Sequence, residues 1–231
     1  MIFFIISVCL YAGILLLYRP SPQSLKEDKI TYWENFRQIK ASLFTGILLL
    51  SIFFVTSDFH FITTNETLYK VFGLSNSWSI VKVLPFQVIT HLLMHANWFH
   101  VISNVSSIGL LSVYERRVGS KRFLMVLLIG SIASIPSVFF YSNATILCGI
   151  SGGVMALAAA YFSDHENITS KEWMHSILGF IILAIFLSIP KQGEAKIMHD
   201  LGFTVDHIGH FFGAVGGIIY CRLRPRHMPK I

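Results

Sequence analysis

Charge is scarce in this sequence. Of its 231 residues only 13% are Asp, Glu, Lys or Arg, about half the share of a soluble globular domain. The shortage excludes a water-solvated surface over most of the chain. With 54% hydrophobic residues, 20 Phe and a mean hydropathy of +0.63, the expected solvent is lipid. Cysteine is nearly absent too: Cys9, Cys148 and Cys221 stand in or beside apolar runs. An odd count without paired spacing excludes a disulfide framework and a cysteine metal site, so the three read as packing residues. No low-complexity tract and no repeat of 20–50 residues occurs, which excludes a repeat architecture. The net charge of +6 makes no case for nucleic acid; it informs by where the charges sit.

What is present is a series of apolar stretches, at 2–18, 41–56, 98–113, 123–141, 146–162, 174–189 and 203–220. Each approaches the roughly 17–25 residues that span a bilayer core. They predict an all-α integral membrane protein with seven spans. The first is expected to be an uncleaved anchor, because basic residues follow it and no A-x-A-like cleavage site does.

Positive residues gather in three places. Segment 19–40 has five Lys/Arg, "ERRVGSKR" (115–122) has four, and the tail carries Arg222, Arg224, Arg226 and Lys230. Alternating spans put all three on one side, which the positive-inside rule makes the cytoplasm, with the N-terminus outside and the C-terminus inside. The expected organisation is an N-terminal transmembrane helix (1–18), a basic cytoplasmic linker (19–40), a six-helix core (41–222) and a basic cytoplasmic tail (223–231). Loop 57–97, about 40 residues with scattered aromatics, faces outward and is long enough to carry structure of its own.

Polar residues inside apolar spans are functional candidates by default. "CGISGGVMALAAAYF" (148–162) sets Ser151 among Gly149, Gly152 and Gly153. It predicts a serine about five residues into its helix, roughly 7 Å below the outer face. Small residues also let helices approach closely, which is the plainer reading. "HLLMHANWFHVISN" (91–104) carries His91, His95, His100 and Asn104. A zinc site of H-E-x-x-H type is excluded because Leu92 stands where the general base would be. His100 and Asn104, four apart on one helix face, are both donors suited to a developing oxyanion or to packing between helices. "VDHIGHFFGAVGG" (205–217) holds Asp206, His207 and His210, and His210 shares a face with Gly213 and Gly217. Close packing of this face on that of Ser151 is what a Ser–His hydrogen bond across helices requires.

The ordered set His91-His95-His100-Asn104, Gly149-Ile150-Ser151-Gly152 and His210-Gly213-Gly217, with Glu115-Arg117-Gly119 between, resembles the rhomboid family of intramembrane serine proteases. The resemblance runs from about 41 to 222 and implies the six-helix rhomboid bundle, here with one additional N-terminal helix. It implies Ser151 as nucleophile and His210 as general base and then acid. His100, Asn104 and the Ser151 backbone N–H would form the oxyanion hole, and His91 and His95 would order the outer loop. The family works with a Ser–His dyad and needs no cofactor or metal. Its substrates are membrane proteins, single-span or polytopic, whose helices are unstable near a cut at the outer face of the bilayer. The expected location is multi-pass in a bacterial inner membrane.

His207 competes with His210 as base by depth, and only His210 has Gly at both +3 and +7. Asp206, one turn before His210, invites a reading as an orienting carboxylate, against the plainer one of a solvated Asp near the outer end. Two positions depart from the family's usual residues: Met155 where Tyr is frequent, and Phe86-Gln87 where Trp-Arg is. The rival readings are a non-catalytic relative that binds membrane helices, and a small transporter with a histidine-lined site. Relatives of the first kind usually lack the Ser or the His, and the second calls for broken helix pairs.

Overall fold

Thr31 starts the longest helix. Its side chain accepts from Glu34 N while the Glu34 carboxylate takes the Thr31 N–H, a capping box that satisfies two donors at the helix start. The helix, α2 (Tyr32–Thr56), therefore begins inside the expected linker, well before the apolar stretch at 41–56. Hydropathy registers only its apolar part.

The computed structural model describes residues 1–19, 30–75, 84–141, 145–164, 174, 178 and 205–225. Among them the chain runs as α1 (Ile2–Leu17), α2, α3 (Glu66–Phe72), β1 (Leu74–Ser75), α4 (Leu84–Thr90), α5 (Trp98–Leu110), α6 (Ser112–Val118), α7 (Ser120–Ser134), a 3-10 helix (Ile135–Phe140), β2 (Ile146–Leu147), α8 (Ser151–Ser163) and α9 (His207–Leu223). By length and composition α2 and the continuous stretch Ser120–Phe140 can each cross a bilayer, and α1 and α8 are shorter apolar helices. The expected span 174–189 lies outside the described residues apart from Met174 and Leu178, both helical.

Local chemistry corrects several expected boundaries. The stretch 98–113 is two helices, interrupted at Leu111. The stretch 123–141 tightens to 3-10 geometry where Pro136 enters. Most important, 146–162 is not one helix. Ile146 and Leu147 pair with Ser75 and Leu74 as a two-stranded antiparallel ladder, and the helix begins only at Ser151. Ser151 is therefore the first residue of its helix and not one buried five residues along it. Thirteen residues give α8 a length of about 20 Å, against about 30 Å of hydrocarbon.

Helices α7, α8 and α9 pack almost backbone to backbone. A Cβ on Gly213 would overlap the Gly152 carbonyl, and one on Gly217 would come within 2.8 Å of the Ala156 side chain. A Cβ on Gly130 of α7 would collide with that same Ala156. Small residues at these crossings let dispersion contacts form along the whole interface. On the other side of the bundle α1 lies on α2, with Phe4 stacked on Phe54 at 4.4 Å and the Tyr11 hydroxyl donating to Ser42 O at 2.7 Å.

The end of the bundle away from Ser151 is tied by polar side chains. Glu115, fully buried, accepts from Ala41 N (2.8 Å), Ser42 N (2.8 Å), Ser42 Oγ (2.6 Å) and Ser120 Oγ (2.6 Å). Arg122 grips Asp164 through two bonds of 2.7 and 2.6 Å, and the Tyr114 hydroxyl donates to the same carboxylate at 2.6 Å. Arg117 donates to Tyr161 O at 2.7 Å, and Arg122 also reaches Arg224 O at 2.8 Å. Gly119, at φ +82°, makes the turn from α6 into α7.

Replacing Glu115 by Ala strands two backbone and two hydroxyl donors in a buried site. Thermal unfolding in detergent is expected to show a loss of about 3–5 kcal/mol. A melting temperature equal to that of the wild type would contradict this role.

Candidate active site

Gly149 sets the site's geometry. Its φ of +103° lies in the left-handed region that favours glycine, and a Cβ there would sit 2.7 Å from His100 Nε2 and 3.5 Å from Asn104 Nδ2. The loop can therefore cross directly over those two side chains. Its own N–H donates to His91 O at 2.8 Å, which ties the serine loop to the histidine segment. Two residues on, α8 begins. The first N–H groups of a helix have no intrahelical acceptor, and the helix dipole adds positive potential there. Ser151 thus stands where backbone donors point outward.

His100 and Asn104 come from α5, whose start is fixed from outside. The Asn97 side chain caps it by accepting from His100 N at 3.0 Å, and Trp98 N donates to Ile62 O at 2.9 Å. Asn104 is 5% exposed, and its amide nitrogen has no hydrogen-bond partner among the described residues. A buried donor left without an acceptor costs about 1–3 kcal/mol. An oxyanion would relieve that cost.

His210 comes from α9. With Gly213 seated on Gly152, His210 lies one turn outward, level with the start of α8. Ser151, His210, His100, Asn104, Gly149 and His91 line one cavity of about 290 Å³. Ser151 and His210 make no hydrogen bond to each other among the described residues, and bonds of this kind often tighten only around bound substrate. His207 is exposed on the first turn of α9. Met155 packs with Ala159, Ala214 and Ile218 between α8 and α9, one turn inward of Ser151.

Asp206 is engaged elsewhere than at the imidazole. It caps α9 by accepting from Gly209 N at 2.7 Å and takes hydroxyl protons from Ser137 (2.6 Å) and Tyr141 (2.7 Å). Neither the orienting carboxylate nor the freely solvated Asp of the sequence reading describes it. It joins the outer end of α9 to the end of the 3-10 helix after α7.

His91 and His95 are buried in the loop between α4 and α5. His91 Nδ1 lies 2.7 Å from Gln87 O, and the His95 ring meets His100 edge-on at 4.9 Å. Burial pushes His91 below its ordinary range and His95 well below, so both are neutral. Gln87, one of the two residues that depart from the family's usual pair, is fully buried and donates to Val71 O at 3.2 Å, which holds α4 against α3. Among the described residues no three His, Cys, Asp or Glu side chains stand together as metal ligands would.

Against known families, a model described as the Rhomboid domain matches residues 84–226, more than half of the chain. No curated protein matches it.

The cap at Asp206 yields a prediction. Asp206→Ala is expected to cost about 1–2 kcal/mol of stability, and Asp206→Asn to recover most of it. The melting temperatures of the two variants in detergent check this. Equal losses would mean that the charge matters and the cap does not.

Proposed function

We propose that this chain, which belongs to the rhomboid family, is an active serine endopeptidase of that family of intramembrane proteases, with Ser151 and His210 as its dyad. It is an integral membrane protein. The observation that carries the reading is the convergence of three helices on one cavity. A hydroxyl at a helix start, an imidazole and a buried amide donor that has no acceptor among the described residues line the same 290 Å³.

The chemistry follows from those groups. Ser151 Oγ attacks the substrate's peptide carbonyl while His210 takes its proton. Charge moves onto the carbonyl oxygen, where Asn104 Nδ2, His100 and the Ser151 backbone N–H receive it. As the C–N bond breaks, His210 gives its proton to the leaving amine. Water then attacks the acyl-serine, His210 accepts the water's proton, and the acid product leaves as Ser151 regains its hydrogen. Donors fixed in a low-dielectric site act more strongly than in water and need no reorganisation. Because α8 is shorter than the hydrocarbon is thick, its serine end lies within the membrane and is reached through the cavity.

The substrates are membrane proteins. An intact helix hides its carbonyls in hydrogen bonds, so the cut falls where a substrate helix is unstable, near the outer face. In this reading residues 41–222 form the rhomboid core behind an N-terminal helix. The basic segments lie in the cytoplasm, in a bacterial inner membrane. Contacts that join Arg116 to Tyr18 O and Arg122 to Arg224 O, at the end away from Ser151, support that orientation.

The test is cleavage of a labelled single-span reporter by purified protein in detergent. Ser151→Ala and His210→Ala are expected to abolish cleavage, and His207→Ala to keep it. Asn104→Ala should lower kcat about a hundredfold with little change in KM. A wild type that binds several helix-unstable reporters without cutting any would move the chain to the non-catalytic, helix-binding relatives.

A further inference from the structure

A second groove among the described residues, larger than the cavity at Ser151, lies elsewhere. It runs between α1 and α5, has a volume of about 1160 Å³, and carries Phe3, Leu10 and Ile14 on one wall and Ile102, Val105 and Leu110 on the other. Phe3, Leu10, Ile14 and Leu110 are each more than half exposed. The walls are held at a fixed separation. Tyr11 wedges against Gly46 of α2 and Gly109 of α5, where a Cβ on either glycine would meet its ring, and its hydroxyl is bonded to Ser42 O. Such a groove in a membrane is filled by something apolar.

Its end away from Ser151 shows what. Tyr18, Ser112 and Val113 line that end. Arg116, one turn beyond Ser112 on the same face of α6, donates to Tyr18 O at 3.2 Å. Arg19 follows Tyr18 and lies over the Tyr32 ring at 4.3 Å, donating to Ile30 O at 3.0 Å. Each guanidinium has five donors and uses only some of them here. Among the described residues the ion pairs are Lys70–Glu66 and Arg122–Asp164, so neither Arg19 nor Arg116 stands in one. The groove thus ends beside two arginines that form no ion pair among the described residues.

We propose that this groove binds one anionic phospholipid, with its acyl chains between α1 and α5 and its phosphate at Arg19 and Arg116. Charge decides between occupants. A second copy of this chain, or another membrane helix obeying the positive-inside rule, would bring its own Lys and Arg to the same end and be repelled. A phosphate there gains charge-assisted hydrogen bonds from both guanidinium forks, and basic pockets between transmembrane helices recognise such head groups. The proposal rests on the chain being a membrane protein and is independent of its catalysis. A bound lipid would bridge α1 to α5, the helix that carries His100 and Asn104.

The experiment is native mass spectrometry of the delipidated full chain in detergent, titrated with phosphatidylglycerol or phosphatidylcholine of the same acyl chains. Wild type and Ser151→Ala are expected to prefer phosphatidylglycerol by roughly tenfold. The Arg19→Gln/Arg116→Gln double variant should bind both lipids equally. Ser106→Trp, at an exposed position in the groove wall, should bind neither tightly. Equal binding of the two lipids by wild type, or an undiminished preference in the double variant, would overturn the proposal. So would a wild-type dimer that Ser106→Trp dissociates. The double variant decides alone if Ser106→Trp does not elute as a single folded species. A chain with the expected lipid preference that cuts no reporter would leave this proposal standing and remove only the protease reading.

Discussion

The candidate site depends on α8 and α9 touching backbone to backbone. Gly213 sits on the carbonyl of Gly152 and Gly217 on Ala156, with no side chain larger than the Ala156 methyl at either contact. Any Cβ at Gly213 would push the helices apart and carry His210 away from Ser151. In lipid no hydrophobic force drives helices together, so close van der Waals contact and polar ties must do it. The glycines therefore have a structural task as well as a local one: they let two helices meet closely enough for their polar ends to share a cavity.

That contact needs bracing at both ends. Near the site, Asp206 fastens the start of α9 to Ser137 and Tyr141, and the Gly149 N–H fastens the serine loop to His91. At the far end, Asp164 after α8 is gripped by Arg122 of α7 and Tyr114 of α6, while Glu115 holds the start of α7 to the middle of α2. Buried charges of this kind are costly to leave unmatched, and these carboxyl groups are surrounded by donors. The bundle is thus apolar along its length and clamped by polar side chains at its two ends.

Much of this was legible in the sequence, because the membrane imposes simple rules. Apolar runs give helices, and polar residues within them mark sites. The i, i+3, i+7 spacing of His210, Gly213 and Gly217 gives the face on which α9 packs. Hydropathy could not give the start of α8. Ile146 and Leu147 are as apolar in a strand as in a helix, and only the positive φ of Gly149 and the pairing with Leu74 and Ser75 end the helix at Ser151. The early start of α2 was hidden in a polar segment, although Thr31 and Glu34 carry the capping-box spacing. Asp206 was misread because its partners, Ser137 and Tyr141, are some 65–69 residues away in the chain. The groove beside α1 was invisible for the same reason: it belongs to two helices, and neither one's sequence shows a gap.

The central claim is that Ser151 is a nucleophile activated by His210. Its most direct measurement is covalent labelling of the purified chain by a fluorophosphonate, with the modified residue mapped by peptide mass spectrometry. The account predicts a single label on Ser151, lost in His210→Ala and kept in His207→Ala. A label on another residue, or labelling of Ser151 that persists undiminished in His210→Ala, would contradict it.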